Sequence, residues 1–251
     1  MSVSSLPPFL PTLLTSLLLL IGDVRSSCFT SLPQRYSCQQ DIGKSTTGRI
    51  GSLAAKPWKK KRIPPDQVLP ELIVLDLDNC LWTPELYQLN PKKIPQARRD
   101  IQLFPEVPLI FQSILELQQQ NTDDPQPPST QWAIASRAQN EEWALQLLKD
   151  FSISEDLSIS DVVPPPNIQI QGGTKKRHFQ SLRQSTGVPY HRMMFFDDWV
   201  VNLQEVSQLG VLGCHCPHGM TLDIFRHGLN EYHDLKKNQA DGDNVWMGYI
   251  I

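Results

Sequence analysis

Apolar residues fall along this chain in two kinds of stretch, short unbroken runs and longer periodic ones, and the two kinds alternate. Leu72–Leu75 is four apolar residues in a row, bounded by Pro70 on one side and a polar turn on the other. A run of that length with such borders predicts a strand buried on both faces. Trp132–Ala135, Met193–Phe196 and Val211–Cys214 repeat the pattern, and Ile168–Ile170 is a shorter strand followed by the turn Gly172-Gly173. Between them the spacing changes. Over Glu106–Gln120 the residues Val107, Ile110, Phe111, Ile114, Leu115 and Leu117 recur mostly every third or fourth position, which predicts a helix. Asn140–Asp150 places Trp143, Leu147 and Leu148 on one helical face. Further helices are predicted from Lys175 to near Gly187, over Asn202–Leu209 with Gly210 as the stop, and over Thr221–Leu229. Strands alternating with helices predict an α/β fold built on a doubly wound parallel sheet.

Three stretches carry no such pattern. Thr83–Asp100 has three prolines (Pro84, Pro91, Pro95) and no period, so at most a small flap or hairpin is expected. Asn121–Thr130, with three prolines and two aspartates, is expected to be a surface loop. Ile153–Pro166 is left undetermined, with its three final prolines ruling out a regular element at the end; the tail from Lys236 is left unassigned.

Charge divides the chain. Residues 1–65 hold 9 Lys/Arg against 2 Asp/Glu, a net of +7, while 66–251 hold 14 against 24, a net of −10. The first part is expected to be a disordered leader and the second a folded domain. An acidic body argues against nucleic acid as partner, because phosphate-backbone binding needs a basic face. The apolar run Phe9–Ile21 is broken by Pro11, Thr12, Thr15 and Ser16, too short and interrupted to span a bilayer. It is followed by the basic, Ser/Thr-rich and acid-poor stretch Arg25–Arg62, so the leader resembles a bipartite signal-then-transit peptide of the plastid kind. Removal of the leader and a plastid location are expected, with the cytoplasm as the alternative. Five scattered cysteines make no disulfide framework.

The chemistry sits where the runs end. Leu72–Leu75 leads into Asp76-Leu77-Asp78, and open α/β sheets hold ligands outside the carboxyl ends of their strands. The second run ends in Ser136-Arg137, Lys175 follows the Gly-Gly turn, and the Met193 run ends in Asp197-Asp198. Acid pair, Ser-Arg, Lys and acid pair, in that order, resemble the haloacid dehalogenase superfamily, and most closely its magnesium-dependent phosphatase 1 family. The resemblance extends to Leu103-Phe104-Pro105-Glu106-Val107, His178-Phe179, Thr186–Pro189 and Gly219-Met220, and covers roughly Leu69–Tyr232.

That resemblance implies a Rossmann-like core with a minimal cap, and a Mg²⁺-dependent phosphomonoesterase working through an aspartyl-phosphate. Asp76 is expected as nucleophile and Asp78 as the acid that protonates the leaving oxygen and then activates water. Mg²⁺ is expected on Asp76, the Asp78 carbonyl and Asp198, with Asp197 and Asn202 behind them. The Leu77 and Asp78 amides, Ser136 and Arg137 are expected to hold the phosphoryl group, and Lys175 to neutralise its charge and keep Asp76 ionised. Cys80 and Trp199 depart from the family pattern, which usually has Thr or Val at the first position and a charged residue at the second. Cys214-His215-Cys216 is not expected to bind zinc, since alternate strand positions point apart.

With so short a cap, selection is expected from Arg137, Trp82 and the Lys92-Lys93 pair at an open rim. The expected substrates are small phosphorylated metabolites, including sugar phosphates of glycated amines, or phosphotyrosine. The expected protein is monomeric. A non-catalytic phosphate-binding module of the same fold is the alternative.

Overall fold

The computed structural model describes residues 63–64, 66–120, 130–238 and 249–250, all within the compact unit Pro57–Ile251. The expectations for the leader, for most of the Asn121–Thr130 loop and for Val245-Trp246 lie outside the described residues.

β1 (Leu72–Leu75) is the centre of a six-stranded sheet, flanked by β4 (Gln131–Ser136) on one side and β6 (Met193–Asp197) on the other. β5 (Ile168–Ile170) lies beyond β4, and β7 (Leu212–His215) and the two-residue β8 (Tyr249–Ile250) lie beyond β6. Every pairing is parallel. Parallel strands need crossovers, and the helices supply them: α1 (Val107–Gln120), α2 (Glu141–Asp150), the short α3 (Ile159–Val162), α4 (Lys175–Thr186), α5 (Val200–Ser207) and α6 (Leu222–Asn238). The chain runs outward from β1 through β4 to β5, then returns to β6 on the opposite flank. This reversal makes a crevice at the carboxyl ends of β1, β4 and β6.

Two cores explain why the strands read as unbroken apolar runs. Leu72 and Val74 of β1, with Ala133, Ala135, Met193 and Phe195, pack against Phe179 and Leu182 of α4 and Leu203 and Val206 of α5. The alternating residues Ile73 and Leu75, with Trp132, Ile134, Met194 and Phe196, pack against Ile110, Phe111 and Ile114 of α1 and Phe225 and Leu229 of α6. Successive side chains of a strand point to opposite faces, and here both faces are covered.

Local signals set the helix ends. Asn140 caps α2 by accepting from the Trp143 N–H at 3.1 Å. Gly187 ends α4 with φ 73°, a left-handed conformation that glycine enters without strain. The α6 helix continues nine residues past the expected Leu229, because Tyr232, buried, and Leu235 prolong the stripe begun by Phe225 and Leu229.

The stretch after β1 forms a short flap. β2 (Trp82–Thr83) pairs antiparallel with β3 (Gln102–Leu103), and one 3₁₀ turn, Leu86–Gln88, lies between them. A second 3₁₀ turn, Pro165–Asn167, occupies the proline run where no element was expected. Proline is tolerated in the first turn of a helix, where its missing N–H has no partner to lose. Among the described residues no helix is long and apolar enough to cross a membrane.

Candidate active site

β1 stops at Leu75 because the chain turns sharply there. The Leu77 carbonyl accepts from the N–H groups of Cys80, Leu81 and Trp82 at 3.2, 2.8 and 3.2 Å, and Asn79 takes the left-handed φ of 56°. Asn79 Nδ2 donates to Glu85 at 2.8 Å, which ties the turn to the flap. Both Asp76 and Asp78 thereby line one cavity of about 330 Å³. Ser136, Arg137, Lys175, Asp198 and Asn202 line the same cavity, so the residues scattered over 127 positions meet at the strand ends.

Lys175 is fully buried, and its ammonium donates to Asp76 Oδ1 at 2.8 Å and to the Ala135 carbonyl, and pairs with Asp197 Oδ2 at 3.1 Å. Burial alone pulls a lysine pKa down, but the two carboxylates outweigh it and hold Lys175 above its ordinary value. Glu205 of α5 accepts from the Lys175 backbone N–H at 3.1 Å and fixes the start of α4.

Asp197 is wholly enclosed. Asn202 Nδ2 donates to both of its oxygens at 2.9 Å, and the Trp199 N–H donates to Oδ1 at 2.8 Å. Burial and the neighbouring Asp76 push its carboxyl up to about 7. The same two causes push Asp198 up to about 6. Asp78, raised to about 6 by burial, accepts from the Trp82 indole N–H at 2.7 Å and from the Leu86 N–H at 3.3 Å.

One oxygen from each of Asp76, Asp197 and Asp198 lies within 4.8 Å of the others. Three hard oxygen donors this close, two of them on carboxylates raised by burial and by Asp76, suit a divalent cation of the Mg²⁺ kind. The expected ligands were Asp76, the Asp78 carbonyl and Asp198, with Asp197 behind. Asp76 and Asp198 lie together in the structure, Asp197 stands with them, and the Asp78 side chain turns to Trp82 and Leu86. Asn202 bridges Asp197 to Arg137, whose guanidinium donates to Asn202 Oδ1 at 2.7 Å. Ser136 is buried, with its hydroxyl accepting from the Ala138 N–H at 3.2 Å.

The rim differs from the sequence reading. Trp82 is not a rim residue: its ring is fully buried, 5.9 Å from that of Phe151. Lys92 and Lys93 are exposed on the flap and do not line the cavity. Glu85, Tyr87, Gln139 and Trp199 line it instead. Arg137 stacks over Trp199, 4.7 Å from the ring centroid, so the family's usual charge at that position gives way to an aromatic platform. The loop residues Glu85, Tyr87 and Gln139 carried no sequence signal, since nothing periodic or motif-like marks them.

His215 contacts the Asp198 carbonyl at 2.9 Å, and the buried Cys216 thiol meets Cys80 Sγ at 3.3 Å. Cys80 itself is fully buried, filling the space a threonine or valine would take.

Residues 68–235 match the profile of the family described as Acid Phosphatase. Human magnesium-dependent phosphatase 1 is 32% identical over 173 residues, which cover 65% of this chain and 88% of that protein. The crystal structure of the N-terminal part of BF1531 from Bacteroides fragilis, described as containing a phosphatase domain complexed with Mg, matches with a TM-score of 0.41 at 15% identity. The match covers 64% of this chain and 40% of that one.

Proposed function

This chain belongs to the acid phosphatase family, and we propose that it is a Mg²⁺-dependent phosphomonoesterase that works through an aspartyl-phosphate on Asp76. The observation that carries the reading is a buried lysine: Lys175 holds Asp76 at 2.8 Å at the end of the central strand, inside the cavity that Asp78, Ser136 and Arg137 also line.

Asp76, Asp197 and Asp198, with the Asp78 carbonyl, would hold the metal. When bound, Mg²⁺ lowers the repulsion between an anionic nucleophile and a phosphate dianion. The remaining work falls to side chains. Lys175 keeps Asp76 ionised, and an Asp76 oxygen attacks phosphorus in line with the departing oxygen. Asp78, with its proton available near neutral pH, protonates that oxygen and then takes a proton from the water that hydrolyses the acyl-phosphate. The Leu77 and Asp78 amides and the Ser136 hydroxyl receive the phosphoryl oxygens. Arg137, steadied by Asn202 and Trp199, meets the phosphate or its neighbouring group.

The substrates proposed are small phosphorylated metabolites such as sugar phosphates, or phosphotyrosine, admitted by a flap of about 18 residues that cannot enclose them. A body with a net charge of −10 disfavours nucleic acid. The test is turnover of p-nitrophenyl phosphate with and without Mg²⁺, in wild type and Asp76→Asn. We expect activity only with Mg²⁺, and a loss beyond roughly a hundredfold in the variant, more than acid–base effects at their weakest supply. Activity surviving Asp76→Asn contradicts the covalent route.

A further inference from the structure

Trp82 is the first residue of β2, and its indole serves no rim. The ring is fully buried beside Phe151, Trp82 does not line the cavity, and its one polar atom donates to Asp78 Oδ1 at 2.7 Å. The turn holds the pair together from the backbone as well: the Asn79 N–H donates to the Trp82 carbonyl at 2.7 Å, and Asp78 and Trp82 form an isolated bridge. The other oxygen, Oδ2, accepts from the Leu86 N–H at 3.3 Å, also from the flap.

We propose that Trp82 is a positioning residue for proton transfer, its indole N–H fixing Asp78 so that Oδ2 is the oxygen that delivers the proton to the leaving group. The inference rests on the reading of Asp78 as general acid given above. Each oxygen of Asp78 accepts one N–H from the flap and keeps a second lone pair, but the indole bond to Oδ1 at 2.7 Å is the shorter, and the oxygen facing the stronger donor holds a proton less readily. The acid form of Asp78 therefore carries its proton on Oδ2, whose bond from Leu86 is longer at 3.3 Å. As the Asp76 oxygen forms its bond to phosphorus, the bond from phosphorus to the leaving oxygen breaks. The Oδ2 proton passes to that oxygen, the alcohol departs, and Asp78 remains as carboxylate. The flap would thus set the geometry of the acid from behind, while touching substrate only with its other residues.

General acid help matters most when the leaving group is basic, so the experiment is a leaving-group series. kcat/KM, which reports the steps up to departure, is measured for 2,4-dinitrophenyl, phenyl and simple alkyl phosphates. The proteins are wild type, Trp82→Phe, Asp78→Asn, and a protein carrying β-(3-benzothienyl)alanine at position 82, which exchanges the ring N–H for sulfur at nearly constant volume. Inhibition by inorganic phosphate with Mg²⁺ reports an intact site. Trp82→Phe and the sulfur analogue are expected to lose about tenfold or more on alkyl phosphates, and less than about threefold on the dinitrophenyl ester, a fraction of what general acid catalysis supplies. Equal losses across the series in either position-82 protein, with a steep series for Asp78→Asn, overturn the positioning role and leave Asp78 as the acid. A flat series for Asp78→Asn overturns that assignment and the inference with it. If Trp82→Phe does not fold, the sulfur analogue alone decides.

Discussion

A fully buried lysine persists in this fold because two carboxylates and a carbonyl surround its ammonium. Removing the cation alone leaves Asp76 and Asp197 facing each other without compensation, and breaking a buried pair from one side costs about 3–5 kcal/mol. For a domain of this size that corresponds to a fall of about 10 °C in Tm for Lys175→Met, at pH 8 without Mg²⁺, with partial recovery when Mg²⁺ is added. Differential scanning calorimetry checks both parts. The acid cluster predicts a pH dependence of opposite origin. Asp197 and Asp198 are raised to about 7 and about 6, so in the metal-free protein they take up protons as pH falls through that range. A proton on either competes with the metal, and the apparent Mg²⁺ affinity should fall on the order of 10³-fold between pH 8 and pH 5, by calorimetric titration. The sign for stability is the reverse: a raised carboxylate pKa penalises the metal-free fold at high pH, and that penalty is relieved as pH falls through about 7. At this scale the sequence revealed the residue types and their order, because each follows a buried run whose end fixes its place. It did not reveal that Asp197 stands with Asp76 as Asp198 does, since that depends on where β6 ends; the strand runs on through Asp197. Nor did it reveal that Trp82 is buried, although Leu81-Trp82 forms an apolar pair straight after the turn.

The central strands and the larger helices were legible, and the flap ladder and the 3₁₀ turns were not, for a reason that lies in what stabilises each. The sheet strands and the larger helices carry their own pattern, because each buries a face against the two cores. The β2–β3 ladder is two residues long on each side and is fixed by contacts from elsewhere, among them the Phe104 N–H to the Leu81 carbonyl at 2.9 Å. No periodicity within Thr83–Asp100 could encode that. The flap makes a separate prediction about selectivity. Tyr87, 63% exposed at the cavity, offers a contact that forms with bound substrate but takes no part in the reaction. Tyr87→Ala should raise KM for aryl phosphates a few-fold with kcat nearly unchanged, the behaviour of an interaction shared by ground and transition states. The charge reversal Lys92→Glu with Lys93→Glu should leave KM within about twofold even at low salt, because neither lysine reaches the cavity. Steady-state kinetics on the two variants separate these outcomes.

Taken whole, the molecule is an acidic catalytic domain preceded by a basic segment, and the two halves of that charge pattern answer to different tasks. The −10 of residues 66–251 sits beside a site that must admit dianions, so local cations matter more than the net field: Lys175 at the base of the cavity and Arg137 on its wall. The +7 segment is proposed to address the protein to an organelle, a plastid first among them, and sequencing the N-terminus of protein from its native cells tests this. An intact Ser2 start or a cytosolic location contradicts it. The central claim, that phosphate passes through a covalent bond to Asp76, has a direct test. Wild-type protein is quenched in acid during turnover with Mg²⁺, treated with borohydride to reduce any acyl-phosphate, and mapped by peptide mass spectrometry. The account predicts homoserine at position 76 and at no other aspartate. Turnover that leaves Asp76 unreduced, or that marks a different residue, contradicts it.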